Sequence, residues 1–244
     1  MGKEIQCSFQ RYEKKYLLGP DQLEKIQEGM APYLCPDEFG VYTIGNVYYD
    51  TEDYRLIRAS LEKPVYKEKL RLRAYGVPGD GDSVFVELKK KVSGVVYKRR
   101  AVLPAAEAAA YVNQGCPPER KDQICREIDW FLQSYRPAPR VYIAYDRTAF
   151  RGRENPELRV TFDTGLRWRD RALDLRDGDE GEPLLPPDRT LMELKLPGAA
   201  PLWLAHLLSE AGAFPVSFSK YGICYREKLL PERTAAGKGV LSCA

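Results

Sequence analysis

Histidine is nearly absent from this chain: one residue, His206, in 244. A Ser-His-Asp triad and a histidine-built metal centre are both poorly served by so few candidates. His206 sits in Leu202-Trp203-Leu204-Ala205-His206-Leu207-Leu208, which reads as a helix and makes His206 an ordinary packed helix residue. The six cysteines (Cys7, Cys35, Cys116, Cys125, Cys224 and Cys243) form no CxxC pair and follow no regular spacing. With no signal peptide in the sequence, they read as reduced thiols of a cytoplasmic protein. There is no GxGxxG and no GxxxxGK[ST], so neither a Rossmann nor a P-loop nucleotide site is supported. No apolar run approaches the ~20 residues that a membrane-crossing helix requires. A strong excess of one charge is also missing: Lys+Arg of 38 against Asp+Glu of 35 leaves +3, less than a dedicated duplex-DNA binder carries.

What the chain does have is locally patterned charge. Apolar residues make up 44% and charged residues 30%, enough for a sizeable core with much ionic surface. In Lys69-Leu70-Arg71-Leu72-Arg73 three cations alternate with two leucines, the two-residue period of a β-strand. The pattern recurs. Glu87 and Lys89, Lys98 and Arg100, Arg159 and Asp163, and Glu193 and Lys195 each share one face of a strand, while Val84/Val86/Leu88, Leu158/Val160/Phe162 and Met192/Leu194/Leu196 take the other.

The wider pattern predicts strands over 9–18, 41–49, 66–76, 83–92, 95–102, 140–149, 157–163, 166–169 and 190–196. Helices are expected over about 21–30, 51–61, 104–113, 119–134, 199–212 and 219–229, the first capped by Asp21 after the Gly19-Pro20 break. Val77-Pro78-Gly79-Asp80-Gly81-Asp82 is a hairpin turn and 176–189 a polar, proline-rich loop. With no linker and no repeat, residues 1–230 read as a single domain and 231–244 as a disordered tail. The expected class is α+β: an antiparallel, eight-stranded, tunnel-like β-barrel wrapped by helices. The charged faces then look either outward to water or inward onto a polyanion. Burying an ion costs several kcal/mol, so an inward face must be wet, paired with carboxylates or filled by anions. A ligand with several phosphates meets that demand, because Arg and Lys are the natural partners of phosphate oxygens.

Nine short motifs sharpen this. Glu13-x-Lys15-Tyr16, Tyr48-Tyr49-Asp50-Thr51, Lys69-Leu-Arg71-Leu-Arg73-x-Tyr75-Gly76, Glu87-Leu-Lys89, Lys98-x-Arg100, Tyr145-Asp-Arg147-Thr-Ala-Phe150, Arg159-Val-Thr-Phe-Asp163-Thr164, Glu193-Leu-Lys195 and Ser219-Lys220-Tyr221 follow one another along the chain, within a likeness that runs from about residue 5 to 228. In that order the chain resembles the vacuolar transporter chaperone (VTC) domain, a polyphosphate polymerase of the triphosphate tunnel metalloenzyme, or CYTH-like, superfamily. The resemblance implies a triphosphate tunnel fold, a divalent metal (Mn²⁺ or Mg²⁺), and transfer of the ATP γ-phosphate onto inorganic polyphosphate.

By the same resemblance Arg71, Arg73, Lys89, Arg147 and Arg159 are the catalytic cations. Lys15, Lys98, Tyr145, Lys195, Ser219 and Lys220 are implied to bind substrate, and Glu193 to hold the metal. The implied partners are ATP, triphosphate and polyphosphate. Nucleic acid is not among them, since the 16 tyrosines are not interleaved with the cations as a base-stacking surface demands. No membrane segment is expected, although the eukaryotic complexes deliver product across a membrane and so leave room for a membrane partner. Two positions depart from the pattern. Arg11 replaces the first glutamate of the superfamily's Glu-x-Glu-x-Lys, which argues against a triphosphatase. Ser217 stands where eukaryotic polymerases tend to have a lysine near the tunnel mouth. The rivals are a triphosphatase acting on inorganic or nucleoside triphosphate and a non-catalytic polyphosphate-binding or sensing module.

Overall fold

The computed structural model of the chain describes residues 12–93, 95–119 and 122–231. The start of the first expected strand with Arg11, the tail from residue 232, and Cys7 and Cys243 lie outside the described residues. Among the described residues nine strands form a mostly antiparallel sheet with helices: β1 (Tyr12–Leu18), β2 (Leu34–Asp50), β3 (Tyr66–Tyr75), β4 (Ser83–Val92), β5 (Val95–Pro104), β6 (Ala138–Gly152), β7 (Arg159–Arg169), β8 (Glu182–Pro183) and β9 (Thr190–Leu196). The pairing order is β1-β9-β7-β6-β2-β3-β4-β5, with the two-residue β8 on β7. Among the described residues this order is an open path with β1 and β5 at its ends, where a closed ring of eight was expected. The helices are α1 (Pro20–Met30), α2 (Arg55–Leu61), α3 (Ala105–Gln114), α4 (Gln123–Tyr135), α5 (Leu202–Glu210) and α6 (Lys220–Cys224), the last running into a π-helical turn over Tyr225–Leu229.

The chain falls into two compact units. The first comprises residues up to 42, 146–165 and 185–218. Here β1 pairs with β9 and β9 with β7. The alternation seen in the sequence buries Tyr16, Val160, Phe162, Met192 and Leu194 together with Ile26 and Met30 of α1 and Leu204 and Leu207 of α5. Gly29 makes that packing close, since a Cβ there would stand 2.4 Å from a Leu207 methyl. Asp21 does not cap α1. Gly19 is the N-cap, and its N–H donates to Gln22 Oε1 at 3.1 Å, leaving Asp21 in the first turn. The same Gln22 amide reaches back to the carbonyls of Ala211 and Gly212, a pairing too distant in sequence for any local pattern to register.

The second unit comprises 43–145, 166–184 and 219 onward. Strands β2 to β5 pair in chain order. Their apolar face (Val47, Leu70, Leu72, Val84, Val86, Leu88) packs under Ala108, Tyr111, Ile128 and Phe131 of α3 and α4. Asp122 caps α4 by accepting from Cys125 N–H at 2.9 Å. Gly45 admits the Tyr142 hydroxyl, which would lie 2.5 Å from any Cβ at that position.

Candidate functional site

Asp50, within the Tyr-Tyr-Asp-Thr motif of β2, is fully buried and structural. It accepts from the backbone N–H groups of Thr51, Leu56 and Ile57 and from the Tyr221 hydroxyl at 2.9 Å, tying the start of α2 to α6. Burial nevertheless outweighs these bonds and raises its carboxyl pKa. Tyr221 in turn stacks on Tyr48, with ring centroids 4.8 Å apart, and so sets the ring whose hydroxyl accepts from Arg71 at 3.1 Å.

The charged face of the second unit is fixed by register. Tyr48, Arg71, Glu87 and Arg100 lie side by side across β2 to β5, followed by the row Lys69, Lys89 and Lys98. Glu87, only 1% exposed, gathers four cations. Arg71 donates to it from Nε at 2.8 Å, Lys98 Nζ approaches to 2.7 Å, Arg100 to 2.5 Å, and Arg73 Nε stands 3.7 Å away. Burial alone would raise the Glu87 pKa. Arg71, Arg73 and Lys98 reverse it and hold the carboxyl well below the usual carboxylate range. Lys98 is itself pulled below the ordinary lysine value, by burial first, against the attraction of Glu87.

Arg73, 8% exposed, is aimed by Asn46 Oδ1 at 3.0 Å and lies 3.5 Å from the Tyr145 hydroxyl. Lys220 is buried with its ammonium 4.2 Å above the Tyr145 ring. Ser219 caps α6 through Gly222 N–H and accepts from Lys69 Nζ at 3.2 Å. Arg71, Arg73, Lys89, Lys98, Tyr145, Ser219 and Lys220 therefore all belong to this unit.

Lys15, Arg147, Arg159, Glu193 and Lys195 belong to the first unit. Register places Glu13, Lys195 and Arg159 in one row across β1, β9 and β7, and Lys15, Glu193 and Thr161 in the next. Lys15 Nζ is 3.2 Å from Glu193 Oε1, and Arg147 NH2 is 3.6 Å from Oε2. Arg147 is clamped by the fully buried Asp163, from Nε at 2.6 Å and NH2 at 2.8 Å. Arg159 is exposed and has another cation, Lys195, as its cross-strand neighbour.

A divalent metal would find few donors here. Among the described residues no three His, Cys, Asp or Glu side chains converge as a cage. One carboxylate, Glu193, stands beside the Thr161 hydroxyl, which is buried without a hydrogen-bond partner. That set does not fit a metal held by protein alone. It does fit a hard cation that takes its remaining ligands from phosphate oxygens and water.

Glu87, Asp163, Tyr48, Asn46, Arg100 and Thr161 carry no role that the sequence alone assigns. Strand alternation puts them on the right faces, but only cross-strand register shows which cation each one holds. His206 is exposed on α5, not packed, because Leu204, Leu207 and Leu208 take the buried stripe. Ser217 is exposed in the segment between α5 and α6.

Residues 10–227 match the VTC domain family. The chain belongs to that family. This VTC domain is 25% identical over 191 residues to vacuolar transporter chaperone complex subunit 4 of Schizosaccharomyces pombe, an alignment covering 66% of the chain and 26% of the relative. It thus spans about a quarter of that protein's length. Solved structures share its fold, and two of them illustrate it. One is a candidate adenylyl cyclase from Hippeastrum with a dominant triphosphatase activity (TM-score 0.52, 16% identity, 91% of this chain and 98% of the other). The other is a candidate adenylate cyclase from Bacillus halodurans (TM-score 0.52, 12% identity, 85% and 92%). The VTC domain accordingly has the fold of the triphosphate tunnel, or CYTH-like, proteins. Among the described residues no helix is long and apolar enough to cross a membrane.

Proposed function

We propose that this VTC domain is a polyphosphate polymerase that transfers the γ-phosphate of ATP onto inorganic polyphosphate with the help of a divalent cation. The observation that carries the reading is the second unit's charged face. Four cations, Lys98 among them, surround one buried carboxylate, and Lys98 stands in the next row shoulder to shoulder with Lys69 and Lys89. Like charges directly opposite one another destabilise a sheet. A surface evolved only for solubility has no use for such rows, whereas a linear polyanion neutralises them. Family membership and the likeness to the fission-yeast subunit support polyphosphate as that polyanion.

Phosphoryl transfer asks a protein for positioning and charge neutralisation more than for covalent chemistry. Arg71 and Arg73, aimed by Tyr48, Glu87 and Asn46, grip phosphate oxygens, while Lys89, Lys98, Tyr145, Ser219 and Lys220 extend the path. In the first unit Arg147, held by Asp163, presents its fork beside Glu193, and Lys15, Arg159 and Lys195 supply further cationic contacts. Glu193, with Thr161 beside it, holds the cation, Mn²⁺ or Mg²⁺, which supplies Lewis-acid neutralisation of phosphate charge when bound. The attacking group is a phosphate oxygen of the acceptor, so no protein nucleophile or general base is needed.

The test is to incubate the pure chain with ATP and Mn²⁺ and separate the products on a gel that resolves polyphosphate. A ladder of lengthening chains is expected. Release of orthophosphate alone, in line with the triphosphatase activity named for the Hippeastrum relative, would instead make this a triphosphatase. Binding of polyphosphate without any turnover would make it a sensing module.

A further inference from the structure

The second unit has a feature that phosphate chemistry does not use. Where β3 begins and β4 turns into β5, seven large apolar side chains are exposed: Val65 (71%), Tyr66 (44%), Val92 (38%), Val95 (54%), Val96 (47%), Tyr97 (45%) and Trp130 (54%). They are neighbours by construction. Tyr66 pairs across the strands with Val92, and Val92 with Val95. Tyr97 stands opposite Lys90, whose ammonium lies 6.0 Å above the Trp130 ring of α4. Val65 is drawn against the turn by a hydrogen bond from Ser93 N–H to its carbonyl at 2.9 Å. Three separate stretches of chain thus bring valines and aromatic rings to one end of the sheet: Tyr66, Val92, Val95 and Tyr97 share the face that meets Trp130, while Val96 lies on the other face with Lys67 and Lys91. Single exposed apolar residues are ordinary, but a contiguous group of this size marks a contact surface.

The charges around it select the partner. In the sequence, Lys89-Lys90-Lys91 precede Val92 and Lys98-Arg99-Arg100 follow Tyr97. Glu68 is buried beneath, accepting from the Tyr66 hydroxyl, with its other oxygen lacking a hydrogen-bond partner. Glu127 is occupied by Lys90 at 3.1 Å and Arg99 at 3.1 Å. Those two carboxylates do not offset Lys63, Lys67 and Lys91. Lys67, which donates to the Ser60 carbonyl and faces Lys91 across the strands, has its pKa lowered by burial and then by repulsion from Lys91 and Lys63. Exposed Glu62 is the nearest acid on the same connecting segment. An apolar, tyrosine- and tryptophan-bearing tip ringed by uncompensated lysines matches an interface that is apolar within and anionic at its surface.

We propose that this end of β3 to β5, with Trp130 of α4, docks the protein on an anionic lipid bilayer. Val95, Val96, Tyr97 and Trp130 enter the interfacial layer, and Lys63, Lys67 and Lys91 meet the headgroups. No part of the patch spans the membrane; the attachment is peripheral and reversible. It does not depend on which phosphate reaction the protein catalyses.

Co-sedimentation of the full chain with vesicles tests it. Binding is expected to vesicles of phosphatidylcholine with about 30 mol% phosphatidylserine, to weaken with added salt, and to be slight with phosphatidylcholine alone. The double change Val95→Asp/Val96→Asp should lower partitioning at least about tenfold, and Lys67→Gln/Lys91→Gln roughly fivefold per lysine. Both variants should keep the wild-type thermal midpoint, which shows that they are folded. If the phosphate-binding face were merely seizing lipid headgroups, Arg71→Ala would abolish vesicle binding and Val95→Asp/Val96→Asp would leave it intact. That result overturns the proposal. So does a wild-type chain that ignores anionic vesicles, or one that forms dimers in sedimentation velocity which Val95→Asp/Val96→Asp dissolves, since the patch would then join two copies of the chain.

Discussion

Glu87→Ala should cost about 3–5 kcal/mol of folding stability, the usual penalty for deleting one partner of a buried ion pair. Glu87 is nearly inaccessible, and its removal leaves Arg71, Arg73, Lys98 and Arg100 facing each other with no counter-charge between them. Total stability of a domain is about 5–15 kcal/mol, so the loss is a large share of it. For a chain of this size it lowers the thermal midpoint by about 6–20 °C. The same four cations make the defect repairable. Tripolyphosphate brings negative charge back to the cluster, so it should raise the midpoint of Glu87→Ala more than that of wild type.

The pH dependence has a definite sign. The folded-state pKa of Glu87 lies below the value of about 4.3 that glutamate has in an unfolded chain. Its contribution is fully present above that unfolded value and is lost as pH falls below it. Glu87→Ala should therefore show a flatter acid limb than wild type in calorimetric scans. A variant as stable as wild type, with the same acid limb, would mean that Glu87 does not organise the cluster.

The second large effect is on turnover. Glu193→Gln keeps the size and one hydrogen-bonding oxygen of the side chain but removes the charge that a divalent cation requires. Metal ions contribute several kcal/mol of transition-state charge stabilisation, so the metal-dependent rate should fall by about 10²–10³-fold. Lys15 and Arg147 lose an ionic partner in this variant, yet Arg147 stays clamped by Asp163, so the fold should persist. A second readout separates metal loss from general damage: the increase in tripolyphosphate affinity that Mn²⁺ produces in wild type should vanish, leaving the metal-free affinity little changed. Wild-type turnover in Glu193→Gln would remove the metal from this position.

The charged faces are legible in the amino-acid sequence itself, because strand alternation is strict wherever one side is buried. Lys69, Arg71 and Arg73 separate from Leu70 and Leu72 on that ground alone. What alternation cannot supply is register. That Glu87 rather than another carboxylate collects four cations depends on Arg71 and Arg100 standing opposite it in two neighbouring strands. That Arg147 is clamped by Asp163 is equally non-local in the sequence.

Element ends are obscured by residues with special backbone geometry. Strand β2 begins at Leu34, seven residues before its expected start, because Pro36 and Gly40 look like punctuation. Gly40 instead takes a φ of +64 inside the strand. Two expected strands, 157–163 and 166–169, are one, because Gly165 at φ +55 carries β7 through. Strand β8 lies inside the polar loop 176–189 and is made by pairing with Arg167 and Trp168, not by local propensity. Ser219 and Lys220 are expected to contact phosphate only because their motif resembles the family's. The fold adds a helix cap to the first and an aromatic face to the second, neither visible in the motif.

The central claim is that these cationic faces exist to hold a chain of phosphates, and titration calorimetry with tripolyphosphate reads it most directly. The wild-type chain should bind, with an affinity that falls as salt rises. Arg73→Ala should weaken binding at the second unit's face by about 10- to 100-fold, the worth of one charge-assisted contact of about 1.5–3 kcal/mol, and Arg147→Ala tests the first unit's face by itself in the same way. No binding by the folded wild-type chain, or the same affinity in all three proteins, would contradict the account.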